Sequence, residues 1–301
     1  MRSFFIVSFL ILAVSSLQAQ KNIPKKWLDS EKKFLFYLQN EDFVKAEEQI
    51  QSMENFAFKK FKEQDSVFAA TVLNRVQLSE KNKFYSEILT ILEKHLKQVK
   101  ALKQKNVKLN FRHYLYFVAY SNSCFALAES YMFNKKLPGE KIPEDNLTRF
   151  KKAADYYNST ISTVLELNEL QNGHPFVKDM LSAAYRQKGR LEGQFMGNLN
   201  ACIQSLERSI SYKEDLETYR LLGVANGIAG KHFVAIDYFE KALKIGGNRQ
   251  PAVLYALEVA YRQLSEIAQN TEEVEIYSSK ADSYHIEWKI IDPNYDPNSG
   301  N

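Results

Sequence analysis

The chain is 301 residues long, 45% apolar, with a formal charge of +4. A chain of this length can bury a sizeable core in one or two domains. So small a charge gives no argument for a nucleic-acid partner.

The first 20 residues have the layout of a secretory signal peptide. Met1-Arg2 supplies a positive start, Phe4 to Val14 is an apolar run broken only by Ser8, and Ser15 to Gln20 is small and polar. Cleavage after Ala19 is expected, giving an exported, periplasmic or secreted chain. The apolar run is shorter than the ~20 residues that a membrane span requires. With no cysteine near the cleavage region, a lipid anchor is disfavoured. Beyond it, the most apolar stretch is Tyr114 to Phe133. It carries Ser121, Asn122, Ser123, Glu129 and Ser130, so it reads as a buried helix and no span is expected in the mature chain.

Only 11 glycines and 7 prolines occur, clustered between long periodic stretches. This pattern predicts helices at 25–39, 42–59, 63–79, 83–104, 109–134, 145–169, 175–194, 198–212, 215–229, 231–245, 250–268 and 272–290. Short turns between them make neighbouring helices antiparallel. The segment Lys135 to Asp145, with Pro138, Gly139 and Pro143, is a loop and the best place for a division. The expected organisation is 1–20 signal peptide, 21–134 N-terminal hairpins, 135–145 loop, 146–293 C-terminal hairpins and 294–301 tail.

Chemistry-bearing patterns are sparse. His95, His113, His174, His232 and His285 form no HExxH pair and lie outside ligand spacing of a cysteine. There is no phosphate loop and no nucleophile elbow, so no catalytic residue, metal or cofactor is expected. Cys124 and Cys202 sit among apolar helical neighbours, where a thiol packs as a small hydrophobe. Two cysteines form no disulfide framework. Lys94, Lys97, Lys100 and Lys103, followed by Lys105 and Lys108, are either the solvated face of an amphipathic helix or a basic stripe for an acidic partner. Asn146 and Asn158 open glycan-acceptor triplets, which matter only in a host that glycosylates its secreted proteins.

Residues 216–249 carry a repeat. Tyr219, Leu222 and Gly223 fall on one helix, Ala235, Phe239 and Ala242 on the next, and Gly230-Lys231 turns between them. The pattern resembles the tetratricopeptide repeat, in which a large residue and Leu-Gly are followed by Ala-x3-Phe over about 34 residues. Small residues sit where the helices cross, and large ones fill the space beside them. Asn226 and Gly247 stand where that family usually has Tyr and Pro. Leu254, Leu257 and Tyr261 repeat the first-helix spacing, with Glu258 in the Gly slot and Ala281 and Trp288 on the closing helix. Leu181-Ser182 and Tyr185 resemble a first helix upstream, with Cys202, Leu206 and Ser209 in second-helix slots. Asp42-Phe43-x2-Ala46 looks like the opening of a further second helix.

The resemblance implies an all-α fold of antiparallel hairpins stacked as a right-handed α-solenoid, and a concave groove lined by first helices that receives a peptide or a helix. Arg186, Glu217, Arg220, Val224, Tyr255 and Arg262 fall on the side that would face such a groove. Arg and Tyr are common binding anchors. The expected function is a non-catalytic adaptor or scaffold of the cell envelope or secreted space with a protein or peptide partner. One alternative is a soluble peptide- or glycan-binding component, which a deep pocket around Tyr114, Tyr116, Tyr120 and Tyr131 would favour. The other is an enzyme of unrecognised helical class, which two carboxylates converging in a cleft would favour.

Overall fold

The computed structural model describes residues 23–62, 65–247 and 249–296. The signal-peptide segment and the last residues of the tail lie outside these. Among the described residues there are twelve α-helices and no strand. They are α1 Lys25–Gln39, α2 Phe43–Lys60, α3 Ser66–Lys81, α4 Tyr85–Gln104, α5 Phe111–Met132, α6 Asn146–Leu170, α7 Pro175–Arg190, α8 Leu199–Tyr212, α9 Leu216–Ile228, α10 His232–Gly246, α11 Pro251–Ile267 and α12 Thr271–Ile291. The helices expected from periodicity are all present, within a few residues at each end. The all-α class holds, and helices adjacent in the chain pack in pairs, such as α1 with α2, α5 with α6, α9 with α10 and α11 with α12.

Local chemistry explains where helices begin. The side chains of Asp42, Asn110, Asp145, Asn198, Asp215 and Asn270 each accept a hydrogen bond from a first-turn backbone N–H. Each satisfies a donor that a helix start leaves without an intrahelical partner. Helix ends share a second device. At α1, α3 and α9 the chain turns through one residue of positive φ: Glu41 at 57°, Lys83 at 59° and Gly230 at 74°. The following N–H then reaches back five residues, from Asp42 to Tyr37 O, Phe84 to Ser79 O and Lys231 to Asn226 O, at 2.8–2.9 Å.

This shared turn puts the hairpins in a common register. Ala235, Phe239 and Ala242 follow Gly230 and are buried. At the same offsets from Glu41 stand Ala46, Ile50 and Met53, also buried, and from Lys83 stand Ile88 and Leu92, buried too. The reading of Asp42-Phe43-x2-Ala46 as the start of a second helix is therefore correct. The hairpins α1–α2 and α3–α4 share this spacing with α9–α10, although their sequence hardly shows it.

The chain divides into two compact units between Val177 and Lys178, inside α7. The loop after α5, expected from sequence to separate the halves, instead joins α5 to α6 within the first unit. Those two long helices bury Leu127, Ala128, Ala153, Tyr157 and Val164 along their length, so the loop between them cannot be a boundary. Glu140 of this loop accepts hydrogen bonds from the Ser86 hydroxyl and, at 3.1 Å, from Tyr131 OH.

In the first unit α3 is enclosed on nearly every side and packs against α2, α4 and α5. Several of its polar groups are matched internally, while Asn74 Oδ1 and Gln77 Nε2 have no hydrogen-bond partner among the described residues. Trp27 Nε1 donates to Thr71 Oγ1 at 2.9 Å, and Asn74 Nδ2 donates to Glu31 Oε1 at 3.1 Å. Arg75 binds Glu54 through Nε at 2.9 Å and Nη2 at 2.7 Å, and Glu47 through Nη1 at 2.5 Å.

In the second unit Cys202, Leu206, Tyr219, Leu222, Ala235, Phe239, Leu257, Tyr261 and Ala281 belong to one continuous core. The last repeat is longer than the one before it, and its helices take up the difference, with 17 residues in α11 and 21 in α12 against 13 in α9 and 15 in α10. Cys124 and Cys202 are buried and free, as packing predicts. Burial pushes their thiols up to about 12 and about 11, so neither is a reactive thiolate near neutral pH.

Candidate functional site

The repeat-defining residues behave as the sequence predicts. Tyr219, Leu222, Ala235, Phe239 and Ala242 are buried together, and Gly223 lies against Phe239. A Cβ at Gly223 would stand 2.4 Å from the ring's Cε1, so α9 and α10 cross there at a distance only glycine permits.

The preceding hairpin corrects one assignment. Spacing along the sequence puts Ser182 in the close-crossing slot. The residues that press on α8 are instead Gly189, whose Cβ would meet Leu206 Cγ at 2.8 Å, and Gly193, whose Cβ would meet Cys202 Sγ at 2.8 Å. Ser182 lies two turns earlier, where its hydroxyl meets Ser209 Oγ at 3.1 Å. The π-helical segment Leu191–Phe195 prolongs α7 beyond Gly189. A π-turn accommodates one extra residue, which matches the eight residues from Gly189 to the turn glycine Gly197 against seven from Gly223 to Gly230. With Gly189 in the slot, Tyr185 becomes the counterpart of Tyr219, and Arg186 that of Arg220.

Three of the groove residues predicted from sequence then occupy one position on successive first helices. Arg186, Arg220 and Tyr255 each stand three residues before the crossing-slot residue, which is Gly189, Gly223 or Glu258. Arg186 Nη1 donates to Asp215 Oδ1 at 2.9 Å, reaching the cap of α9. Arg220 makes a two-pronged pair with Glu217, Nε and Nη2 each at 2.8 Å. Val224, one turn further on, is exposed. Arg262, one turn after Glu258 on α11, is bound to Glu258 through Nε at 2.9 Å and to Asp282 through Nη2 at 3.2 Å. Each arginine is thus held by a carboxylate of the chain itself, which fixes its direction and offsets some of its charge.

Sequence reasoning missed the cluster around Glu258. Its carboxylate is buried and accepts from Trp288 Nε1 at 2.7 Å and from Arg262, with His285 Nδ1 at 3.1 Å. Burial alone would raise this carboxyl. The bonds from Trp288, Arg262 and His285 outweigh burial and hold it below the usual carboxylate range. An acidic residue in a slot that small residues usually fill was the available signal. Trp288 stands edge-on to Tyr255 at 5.8 Å.

Tyr116 and Tyr131 are buried in the helical core, and Tyr114 and Tyr120 are half-buried. A surface depression of about 330 Å³ lies elsewhere, lined by residues including Glu54, Phe58, Arg75 and His95. Glu47 and Glu54 do converge, but on Arg75, as an ion-paired tie between α2 and α3. Among the described residues no group of His, Cys, Asp and Glu could hold a metal ion, and no helix is long and apolar enough to cross a membrane. The lysines from Lys94 to Lys108 are exposed, and Lys100 bridges to Glu166 of α6 at 2.8 Å.

These contacts define an all-helical protein built of tetratricopeptide-type hairpins. No protein-family model matches the chain, and no curated protein matches it significantly. Among solved structures, BtubC from P. vanneervenii is 15% identical, with 88% of this chain and 95% of that chain covered and a TM-score of 0.42. The C-terminal part of a TPR repeat-containing protein from Cytophaga hutchinsonii is 13% identical, covering 88% and 96%, with a TM-score of 0.37. The TPR2AB domain of yeast Sti1, solved as a complex with pHSP90, is 15% identical, covering 89% and 96%, with a TM-score of 0.27. At these TM-scores the superpositions carry no argument of their own, and the fold class rests on the contacts above.

Proposed function

We propose that this protein is a non-catalytic adaptor that captures a peptide or helix of a partner protein on the first-helix face of its C-terminal unit. The observation that carries the reading is the row formed by Arg186, Arg220 and Tyr255, three anchor-type residues at one position of three consecutive hairpins. Their carboxylate partners pre-orient the arginines, so less side-chain entropy is lost when a ligand arrives. Stacked hairpins use such repeated positions to build extended binding surfaces. The work is proposed to take place in the cell envelope or the secreted space, on the strength of the signal-peptide layout of residues 1–20.

Affinity purification of the full-length gene product from its own host, compared with the Arg220→Glu/Arg262→Glu variant, tests both the binding face and the export. One or more partners are expected to be recovered with the wild type and lost at least tenfold with the variant, at unchanged far-UV circular dichroism. Equal recovery by the two proteins would remove the assigned face. The intact mass of the recovered chain should correspond to a start at Gln20, and a chain still carrying residues 1–19 would count against cleavage.

A further inference from the structure

We propose that Tyr255 and Trp288 form a slot for one aromatic side chain of an extended peptide, and that this chain's own Tyr295 occupies it as a built-in ligand. The inference rests on the adaptor reading above and gives its partner a chemistry.

Past the end of α12 the sequence Asp292-Pro293-Asn294-Tyr295 reverses the chain. Tyr295 N–H donates to Asp292 O at 3.1 Å, and Asn294 N–H donates to Asp292 Oδ1 at 3.1 Å. Asp first and Pro second are the residues such a turn prefers, because the carboxylate accepts from the backbone and the proline ring presets φ. The reversal sets Tyr295 edge-on to Trp288, centroids 5.9 Å apart and planes at 75°, and edge-on to Tyr255, at 6.4 Å and 60°. Tyr255 and Trp288 are themselves 5.8 Å apart at 88°. Each positive ring edge therefore meets the negative face of a neighbour, the arrangement aromatic rings favour.

The walls are fixed by contacts that do not involve Tyr295. Trp288 is held through its indole N–H by the buried Glu258, and Glu258 by Arg262 and His285. Arg220 is held by Glu217. Burial pushes the Tyr295 phenol up, and the Arg220 charge beside it draws it back down. By contrast the occupant arrives on a single turn, is half-buried, and is followed by the exposed Asp296. One of the two walls, Tyr255, is a member of the repeated row, and the charge of a second member, Arg220, reaches the Tyr295 phenol. The tail thus lies where a partner's chain would lie, and the two exclude each other. A tether this short gives the tail an effective concentration in the millimolar range, so it weakens any ligand that needs the slot.

The test uses the full chain carrying Tyr295→Ala and two synthetic peptides, Asp-Pro-Asn-Tyr-Asp and Asp-Pro-Asn-Ala-Asp. The readout is the indole N–H resonance of Trp288, assigned with Trp288→Phe. The Tyr peptide is expected to shift that resonance saturably in Tyr295→Ala, with at least severalfold weaker binding in the unmodified chain, and the Ala peptide to leave it in place. Equal responses to both peptides, or no response in the Tyr295→Ala chain, overturn the slot. Loss of partner capture in the Arg220→Glu/Arg262→Glu variant, combined with no peptide response, would sink the slot and leave the adaptor reading standing. A specific peptide response with no partner recovered from the host would do the reverse.

Discussion

Replacing Gly223 by leucine is expected to destabilise the C-terminal unit by about 3 kcal/mol, near the top of the range for overpacking a filled core. A Cβ there would stand 2.4, 2.5 and 2.7 Å from three atoms of the Phe239 ring. That ring is enclosed with Tyr219, Leu222, Ala225 and Ala235, so it has nowhere to swing. Phe239→Ala alone should cost about 3–5 kcal/mol through the cavity it leaves. In the double variant the leucine enters the space the ring vacates, and the combined loss should fall short of the sum, by up to about 3 kcal/mol for residues in contact. Urea unfolding followed by circular dichroism gives all four stabilities. Strict additivity would show that α9 and α10 do not meet at this pair.

Glu31 gives the second large effect, and it depends on pH. Its carboxyl is buried in the N-terminal unit. Burial pushes it from the ordinary 4.5 up to about 7, against the Asn74 hydrogen bond and the charge of Arg112, which both favour the ionised form. The folded chain therefore binds this proton more tightly than the unfolded one. Its stabilising contribution is complete below about 4.5 and is lost as pH rises through about 7. The gap corresponds to about 3 kcal/mol. Glu80, which burial also pushes up to about 7 against the charge of Lys81, acts with the same sign. Glu31→Gln keeps a side-chain acceptor for Asn74 and removes the charge. The variant should be more stable than the wild type at pH 8, by up to about 3 kcal/mol, and should show a smaller fall in stability between pH 5 and pH 8. An unchanged slope would show that Glu31 ionises without penalty. Glu258 in the other unit runs the opposite way. Its carboxyl is held low, so its contribution is present at neutral pH and is lost as acid protonates it.

The helices were legible because their causes are local. Periodic apolar residues mark each buried face, and Asp42, Asp145, Asp215 and Asn270 cap the helices they precede. The hairpin of residues 216–246 was legible because Gly223, Ala235 and Phe239 lie within one repeat, and each is of a type its slot demands. Two turns of the same kind were not. Glu41 and Lys83 adopt positive φ without being glycine, a conformation that surrounding contacts impose and composition does not announce.

On the functional face, the residue types were visible in the sequence but their relations were not. Arg186, Arg220 and Tyr255 could be picked out as anchors. That Gly189, and not Ser182, presses on α8 shows only once the two helices have packed. That Glu258 holds Trp288 and that Tyr295 turns back onto Tyr255 depend on residues 30 and 40 positions apart. By itself the sequence determined the secondary structure, the all-helical class and one repeat, because hydrogen bonds and apolar periodicity within a few turns decide those. The division inside α7, the register of the other hairpins and the aromatic slot were decided by the tertiary structure, because each depends on which side chains meet once distant helices have packed.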